Sequence, residues 1–401
     1  MPPTKLPQPH HLLLPPIQQT IRLTFNYPVH FTTGLFNPDN PLLAQILTSH
    51  TDLHPKRAIA IIDDGVSTHH PHLLSQLTHY AHHHAFTLCT DPIIVPGGEA
   101  AKNDPALPQN LLQIIHQTGL CRHSYLLAIG GGALLDLVGY IAAIAHRGIR
   151  LIRIPTTVLA QNDSGIGVKN SINAFNKKNF LGTFAPPAAV LNDFNFLNTL
   201  NLRDWRSGIA EAIKVALIKD AAFFDFITTH TDALNQRDAI AMQRLIYRCA
   251  QLHLNHIATS GDPFEAGSSR PLDFGHWAAH RLEHLTQYRL RHGEAVAIGI
   301  ALDSTYSYLS QRLSLPAWQR ILQTLKAIGF SLYVPELAKH LTPDHPQSLF
   351  RGLSEFQEHL GGELTITLLS DIGHSIEVHT VDLPLYQQAV SILQTIEQSC
   401  T

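Results

Sequence analysis

The stretch that decides the fold is LLAIGGGALLDLVGYIAA, residues 126–143. A β-rich apolar run ends at three consecutive glycines, Gly130, Gly131 and Gly132, and a second apolar run with helical spacing follows. This order is typical of a phosphate-binding turn, because glycines let backbone N–H groups approach an anion at the positive end of a helix. The same residues also fit a tight turn that only packs a helix on a strand.

The surrounding apolar segment, residues 125–145, is long enough to span a bilayer. The three glycines and the internal Asp136 predict a buried strand, turn and helix instead. The N-terminal stretch MPPTKLPQPHHLLLPPIQQ is broken by prolines and lacks the apolar run of a signal peptide. We therefore expect a soluble, cytoplasmic protein with an extended N-terminal arm.

The composition is that of a globular protein of 401 residues, long enough for two domains. Hydrophobic residues make up 44% of the chain and charged residues 15%, while 27 histidines supply much of the remaining polarity. A net charge of −3 gives no reason to expect nucleic acid as a partner. Cys89, Cys121, Cys249 and Cys400 are widely spaced, which indicates a reducing compartment and argues against a disulfide framework or a thiolate metal site.

The first half of the chain alternates strand and helix patterns. RAIAIIDD (57–64), DPIIVPGG (91–98) and IRLIRIPTT (149–157) are strand candidates with helical segments between them. Alternation of this kind predicts a mostly parallel sheet covered by helices, and after about residue 200 only helical spacing continues. The predicted organisation is a Pro-rich arm (1–18), an α/β nucleotide-binding domain (19–200) and a mainly α-helical domain (201–401).

Polar residues follow the predicted strands, where ligands of α/β proteins commonly bind. Asp63 ends its strand and could accept hydrogen bonds from an adenosine ribose, and Asp136 could bind a ribose or a nicotinamide amide. The other candidates after strands are Glu99, Lys102, Thr156, Thr157, Asp163 and Lys169. In the helical half, His276 and His280 lie one helical turn apart, although a single histidine is weak support for a metal site in so histidine-rich a chain.

These motifs carry a family resemblance. The segment 128–184, with its GGG turn, RG pair and PTT motif, resembles the central segment of 3-dehydroquinate synthases and the wider sugar phosphate cyclase family. The resemblance continues in the same order through four further segments: NFLNTL (195–200), GIAEAIKVALI (208–218), DFGHWAAHRLE (273–283) and LRHGEAVAIGIALD (290–303). It implies the dehydroquinate synthase-like fold, with the helical domain binding a metal.

The resemblance also implies site residues. A zinc or cobalt ion would be held by Glu211, His276 and His292, a ligand set that leaves metal positions open for substrate hydroxyls. His280 would bind the substrate or transfer a proton, and Lys214 would be the active-site lysine on the same helix face as Glu211. The implied NAD site comprises Asp63, Glu99, Lys102, Gly130, Gly131, Gly132, Asp136, Thr156, Thr157, Lys178, Phe196 and Thr199.

The phosphate and substrate end is assigned in the same way. Arg147, Lys169, Lys178 and Asn179 form the implied phosphate-binding group, since clustered cations suit a phosphate that is bound and then released. Arg147 and Lys169 also belong to the implied catalytic set, and Arg147 would reach the neighbouring subunit, which implies a homodimer. The implied substrate-binding residues are Asp163, Lys169, Asn179, Arg270 and Asp273.

The sequence departs from the family around the substrate. Arg270 lies one residue nearer to the metal histidine than the family arginine, Asp273 replaces an asparagine, and Trp277 replaces a small threonine or serine. A lysine before the metal histidine and a C-terminal DKK run have no counterpart. The loss of two cations and the gain of a carboxylate predict weaker binding of a substrate that carries both carboxylate and phosphate.

We therefore predict an NAD- and zinc-dependent cyclase of a specialised pathway, a lyase that eliminates phosphate from a seven-carbon sugar phosphate and closes a carbocycle by an aldol step. One alternative is an ordinary 3-dehydroquinate synthase. A second is a metal-dependent polyol dehydrogenase of the glycerol dehydrogenase type, which shares the fold and a GGG turn. A third is a non-catalytic nucleotide-binding protein, against which the joint presence of Glu211, His276 and His292 argues.

Overall fold

The computed structural model describes residues 16–48, 56–175, 177–260, 264 and 267–399. Most of the predicted Pro-rich arm and Cys400 lie outside these ranges, and residues 16–18 are exposed. The strands are β1 (Val29–Thr32), β2 (Arg57–Asp63), β3 (Thr87–Leu88), β4 (Ile93–Val95), β5 (Tyr125–Gly130), β6 (Arg150–Pro155), β7 (Lys169–Ala174), β8 (Lys177–Phe184), β9 (Ala189–Asp193), β10 (Ile366–Asp371) and β11 (His374–Val378).

The helices are α1 (Leu42–Thr48), α2 (Asp64–His69), α3 (Leu73–His83), α4 (Glu99–Asn103), α5 (Ala106–Thr118), α6 (Gly132–Ile144), α7 (Leu202–Lys219), α8 (Ala221–Thr229), α9 (Thr231–Asn235), α10 (Ala239–Thr259), α11 (His276–Leu285), α12 (His292–Leu309), α13 (Leu315–Ile328), α14 (Arg351–His359) and α15 (Leu383–Gln398). None of them combines the length and the apolarity that a membrane-crossing helix needs, over the part of the chain described.

A seven-stranded parallel sheet forms the first half of the chain. Its order is β1-β9-β6-β5-β2-β3, and β4 also pairs with β2. The central strand β5 is buried along its whole length, as expected for a parallel sheet covered on both faces. Helices α5 and α6 supply apolar side chains to one face and helices α1 and α3 to the other. The predicted parallel, helix-covered sheet is confirmed.

The glycine-rich turn joins β5 to α6. Gly130 is the last residue of β5 and Gly132 the first of α6, so the predicted strand, turn and helix are confirmed. A Cβ atom on Gly130 would lie 2.5 Å from the Leu134 side chain and 3.0 Å from Asp63 Cβ. Only glycine therefore lets the end of β5 pack this closely against α6 and the end of β2. The N-cap residue of α6 is Gly131, which has no side chain to cap the helix.

The second half of the chain is built on helices around one core. Helices α7 and α12 are buried on nearly all sides, which is typical of helices at the centre of a domain. Glu211 lies in the middle of α7, His276 is the first residue of α11, and His292 is the first residue of α12. The mainly helical character of this half is confirmed, while the boundary at residue 200 stays a prediction.

Two antiparallel hairpins were not predicted from the sequence. Strands β7 and β8 form one and pack through β7 on α6, and strands β10 and β11 form the other and pack on α7 and α12. Strand β8, with the sequence KKNFLGTF, is exposed along most of its length, so it lacks the alternating burial that identifies a strand.

Candidate active site

Three side chains from three helices meet between the two halves of the protein. The ligand atoms of Glu211, His276 and His292 all lie within 4.8 Å of one another. Oε1 of Glu211 is 3.2 Å from His292 Nε2 and 3.5 Å from His276 Nε2. The two imidazole rings are 5.4 Å apart, and Glu211 is fully buried.

Hydrogen bonds fix which nitrogen of each imidazole faces the centre. Nδ1 of His276 lies 3.1 Å from the carbonyl oxygen of Phe274, which can only accept, so this nitrogen carries the proton. Nδ1 of His292 lies 3.3 Å from Oε2 of Glu283, which orients this ring in the same way. Both Nε2 atoms are thereby directed to Glu211, in the arrangement that metal-binding histidines commonly have.

These residues fit a divalent metal. Both carboxylate oxygens of Glu211 are buried without a well-aligned hydrogen-bond donor, and two Nε2 atoms face Oε1. Burial alone would raise the pKa of Glu211, but Lys214 and His276 hold it well below its ordinary value, so the carboxylate is ionised. One carboxylate and two imidazoles with an open side match the donors of a catalytic zinc site.

His280, Glu283 and His292 form a second group with metal-binding geometry. Glu283 is already engaged, since its Oε1 accepts a hydrogen bond from Lys178 at 3.0 Å and its Oε2 lies 3.3 Å from His292 Nδ1. His292 also directs its other nitrogen to Glu211. The Glu211 group is therefore the better metal site, and Glu283 orients one of its ligands.

A buried network extends from Glu211 to the first half of the chain. Lys214 pairs with Glu211, and its Nζ lies 3.6 Å from Oδ2 of Asp163. Burial would lower the pKa of Lys214, but the two carboxylates raise it, so the ammonium group stays charged. His253 Nδ1 lies 2.8 Å from Oδ1 of Asp163. No sequence motif marks His253, and only its contact with Asp163 identifies it as part of this network.

The predicted substrate-binding residues near the cluster carry both charge signs. Burial would raise the pKa of Asp273, but Lys169, His276 and Lys214 lower it, so this carboxylate is ionised. His280 is exposed, and its ring lies 5.4 Å from that of His276 and 5.9 Å from that of His292.

Arg270, predicted to bind substrate, extends to α14. Its guanidinium contacts His359 Nε2 at 3.2 Å, and its backbone oxygen accepts a hydrogen bond from Thr367. Arg270 therefore contacts His359 and Thr367, which lie in the C-terminal region where the sequence departs from the family pattern.

The predicted cofactor residues line the carboxyl edge of the sheet. Asp63 uses Oδ1 to cap α2, accepting from the N–H groups of Gly65 and Val66 at 2.8 and 3.3 Å. Burial raises the pKa of Asp63. Thr156 and Thr157 follow directly after β6, close to the glycine turn, and Thr156 donates its N–H to Gly130 O at 3.0 Å.

Lys102 organises a polar group beside the glycine turn. Its buried Nζ donates to Asp136 Oδ2 at 2.8 Å, Ser171 Oγ at 3.0 Å and Asn179 Oδ1 at 2.5 Å. Strand β7 supplies Ser171, and β8 supplies Asn179. The unpredicted hairpin therefore brings predicted cofactor and phosphate residues together.

Lys178 joins the two halves of the protein. Its Nζ lies 3.4 Å from Oε1 of Glu99 in α4 and 3.0 Å from Oε1 of Glu283 in α11. Burial would lower the pKa of Lys178, but Glu283 and Glu99 raise it. The ammonium group is thus held between two carboxylates on the edge of the cleft.

Phe196 and Thr199 belong to the short helical turn that directly follows β9. Thr199 Oγ1 is 2.8 Å from His70 Nε2, and the His70 ring contacts the Phe196 ring edge to face at 5.1 Å. His70 and Phe196 line a cavity of about 660 Å³, beyond the end of β9. This cavity has room for part of a nucleotide.

Two residues lie apart from the cluster. Arg147 is exposed on the loop between α6 and β6, has a φ of +63°, and makes no ion pair with any residue in the described ranges. Trp277, taken from the sequence as a change in the substrate pocket, is 2% exposed and packs in the core against Phe350 and Tyr386. Trp277 follows His276 by one residue, which is about 100° of helix rotation. Its ring therefore points away from the metal cluster and into the core.

The parallel sheet with its glycine turn and the helical half with Glu211, His276 and His292 define an α/β protein whose residues suit a nucleotide and a divalent metal ion. The family model of the 3-dehydroquinate synthase N-terminal part matches residues 92–207, and that of the C-terminal part matches residues 208–347. The chain belongs to the 3-dehydroquinate synthase family, within the sugar phosphate cyclase superfamily. The resemblance stated from the sequence is confirmed.

Relatives of two activities match the chain. The 3-dehydroquinate synthase of Coxiella burnetii is 35% identical over 296 residues, 73% of this chain and 79% of that protein. The 2-epi-5-epi-valiolone synthase of Streptomyces glaucescens is 30% identical over 357 residues, 89% of this chain and 87% of that protein.

Solved structures agree on the fold. The 2-epi-5-epi-valiolone synthase of Streptomyces hygroscopicus, with NAD⁺ and Zn²⁺ bound, has a TM-score of 0.82 and 30% identity, covering 94% of this chain and 99% of its own. A 2-deoxy-scyllo-inosose synthase in complex with carbaglucose-6-phosphate, NAD⁺ and Co²⁺ has a TM-score of 0.73 at 22% identity, covering 90% of this chain and 95% of its own. At this identity, the match to the 2-deoxy-scyllo-inosose synthase shows a shared fold.

Proposed function

We propose that the protein is a sugar phosphate cyclase that converts a seven-carbon sugar phosphate without a carboxylate, such as sedoheptulose 7-phosphate, into a carbocycle. The observation that carries this proposal is the ionised Asp273 beside the metal site. The negative charge of Asp273 would repel a carboxylate on the substrate, whereas a neutral sugar hydroxyl can donate a hydrogen bond to Asp273. The extent of the alignments also favours a substrate without a carboxylate. The 2-epi-5-epi-valiolone synthase of Streptomyces glaucescens aligns with more of the chain than the Coxiella enzyme does.

The protein would bind both NAD⁺ and a divalent metal ion, each through its own group of residues. When bound, NAD⁺ accepts and returns a hydride, and zinc or cobalt polarises the hydroxyl group that is oxidised. Glu211, His276 and His292 would hold the metal. The uncapped N-terminus of α6, with Thr156 and Thr157, would hold the pyrophosphate.

The remaining residues would orient the sugar and release phosphate. Lys214 stays protonated between Glu211 and Asp163 and can donate to a ring oxygen. Lys169 brings positive charge to the substrate side, where it can neutralise the phosphate that leaves as the C–O bond breaks. His280 can exchange a proton with the substrate. The reaction is redox neutral overall.

Phosphate release tests the proposal. The zinc-loaded protein with NAD⁺ should release phosphate from sedoheptulose 7-phosphate without net formation of NADH. Faster release from the 3-dehydroquinate precursor would support an ordinary 3-dehydroquinate synthase instead. Net NADH formation with a polyol would support a glycerol dehydrogenase-like enzyme, a class to which this chain is related in fold at 14–15% identity.

The proposal includes a homodimer in which Arg147 completes the partner's site. The support is the exposure of Arg147, which makes no ion pair within the described ranges, together with exposed apolar side chains on α6 and the β7–β8 hairpin that packs on it. Ile144, Phe175, Phe180, Leu181 and Phe184 are each more than a third exposed. Exposed apolar side chains in this number favour a protein interface.

Mixing two inactive variants tests the shared site. Arg147→Ala and Glu211→Ala should each be inactive alone. After joint refolding, heterodimers contain one site with both residues intact, so about a quarter of the wild-type activity should return if pairing is random. Refolded mixtures that stay inactive while sedimenting as dimers would contradict a role of Arg147 in the partner's site.

We also infer a cytoplasmic location. Cys89, Cys121 and Cys249 are free thiols in the structure, which suits a reducing compartment.

A further inference from the structure

Asp303 is a buried carboxylate on α12 that no step of the proposed reaction uses. Its Oδ1 accepts hydrogen bonds from Trp277 Nε1 at 3.0 Å and from the Tyr386 hydroxyl at 2.9 Å, and its Oδ2 accepts from Gly275 N at 3.1 Å. Two of these donors belong to the residues directly before and after His276. We propose that Asp303 is a positioning residue that holds the metal ligand His276 in its binding orientation, an inference that rests on the metal site of the proposed function.

The link between Asp303 and the imidazole is one peptide group. The N–H of Gly275 and the C=O of Phe274 belong to the same planar unit, so fixing one fixes the other. The N–H donates to Asp303, and the C=O accepts from His276 Nδ1 at 3.1 Å. Asp303 therefore sets the plane that orients the ring, and the ring's Nε2 points to Glu211 as a result.

The backbone around Gly275 is held in a conformation that glycine favours. Gly275 has a φ of +77°, and a Cβ atom there would lie 2.7 Å from Ile300 N. A Cβ atom on Gly299 would lie 2.0 Å from the carbonyl oxygen of Gly275. The start of α11 thus packs backbone against backbone on α12, and the hydrogen bond from Gly275 to Asp303 fixes the register of this contact.

Helix α12 therefore serves both histidine ligands. It carries His292 as its first residue and holds the segment around His276 through Asp303. One rigid, buried helix sets the distance between the two imidazoles. A metal site needs this kind of support, since ligands that are free to turn bind more weakly.

The burial of Asp303 supports a specific role. The side chain is fully buried, and burial raises its pKa to about 7 against the hydrogen bonds from Trp277, Tyr386 and Gly275 that lower it. Buried carboxylates are costly, and an apolar residue of similar size is often at least as stable in a core. A group that only filled space would not need three donors.

The competing explanation is that Asp303 only stabilises the aromatic core. Trp277 contacts Tyr386 edge to face at 5.2 Å, and Tyr386 stacks on Tyr306 at 4.0 Å. The two explanations differ in what a substitution changes. A packing role affects only stability, whereas a positioning role also changes metal affinity and metal geometry.

The test compares Asp303→Asn with Tyr386→Phe in the full chain. The asparagine can still accept from Trp277 and Tyr386, but it presents an N–H₂ group where Oδ2 accepts from Gly275. We expect a 10- to 100-fold weaker affinity for Zn²⁺ in chelator competition, as for other residues that orient a metal ligand, and a shifted visible spectrum of the Co²⁺-loaded protein. Tyr386→Phe removes one hydrogen bond of the same carboxylate without touching Gly275, so its Zn²⁺ affinity and Co²⁺ spectrum should stay at the wild-type values.

The outcomes separate the two roles. Equal metal affinity in Asp303→Asn and the wild type, whatever the change in Tm of the metal-free protein, would overturn the proposal, as would an equal loss in both variants. If Asp303→Asn does not fold, Asp303→Ser takes its place, because the shorter side chain also withdraws the carboxylate oxygen that accepts from Gly275 N. An unchanged Co²⁺ spectrum in that variant would then overturn the proposal. A wild-type protein that binds zinc but does not turn over sedoheptulose 7-phosphate contradicts the proposed function and leaves this inference intact.

Discussion

Glu211→Gln is expected to remove stoichiometric zinc from the protein and to lower phosphate release by about 10³-fold, equivalent to about 4 kcal/mol of transition-state stabilisation. The amide keeps the size of the side chain but loses the charge that two Nε2 atoms face. It also deprives the buried ammonium group of Lys214 of the carboxylate that it pairs with. Metal content and phosphate release would be measured on the same preparations.

The matched control for this variant is Glu336→Gln. Glu336 pairs with the exposed Arg289 at 2.6 Å on the protein surface, so its loss should leave both zinc content and turnover unchanged. A Glu211→Gln protein that still holds one zinc per chain with wild-type affinity would show that the metal site has been assigned to the wrong residues.

Asp273→Asn should shift the choice of substrate. Removal of the negative charge ends its repulsion of a substrate carboxylate and weakens the acceptor for a neutral hydroxyl group. We expect the ratio of kcat/KM for sedoheptulose 7-phosphate to that for the 3-dehydroquinate precursor to fall by about 10²-fold. Steady-state phosphate release with each substrate gives this ratio directly.

Asp232→Asn serves as the control for charge alone. Asp232 is exposed on α9, and its substitution makes the same change in net charge without altering the ratio. An unchanged ratio in Asp273→Asn would mean that the carboxylate does not contact the end of the substrate that distinguishes the two sugars.

The sequence predicted those parts of the fold that depend on local pattern. The strand, glycine turn and helix around Gly130 follow from apolar spacing and from residues without side chains, and the structure has them at the predicted place. The parallel sheet follows from the alternation of strands and helices. The β7–β8 hairpin did not follow, because most of β8 is exposed and carries no burial pattern.

The sequence did not predict which residues far apart in the chain contact one another. Its motifs named Lys102, Asp136 and Asn179 separately, but only the hairpin brings the three within hydrogen-bond distance. The family pattern placed Trp277 near the substrate, where the family has a small threonine or serine, whereas the helix turns its ring into the core. The partner that explains this residue, Asp303, lies 26 positions further along the chain.

The position of Lys178 between Glu99 and Glu283 has a thermodynamic consequence. Its ammonium group contacts Glu99, a predicted nucleotide-binding residue, and also Glu283, which orients the predicted metal ligand His292. A ligand that hydrogen-bonds to the Glu99 carboxylate would weaken the contact between Glu99 and Lys178. Lys178 would then interact more strongly with Glu283. We therefore expect occupancy of one side to be coupled to affinity on the other, and by linkage the coupling would be the same in both directions.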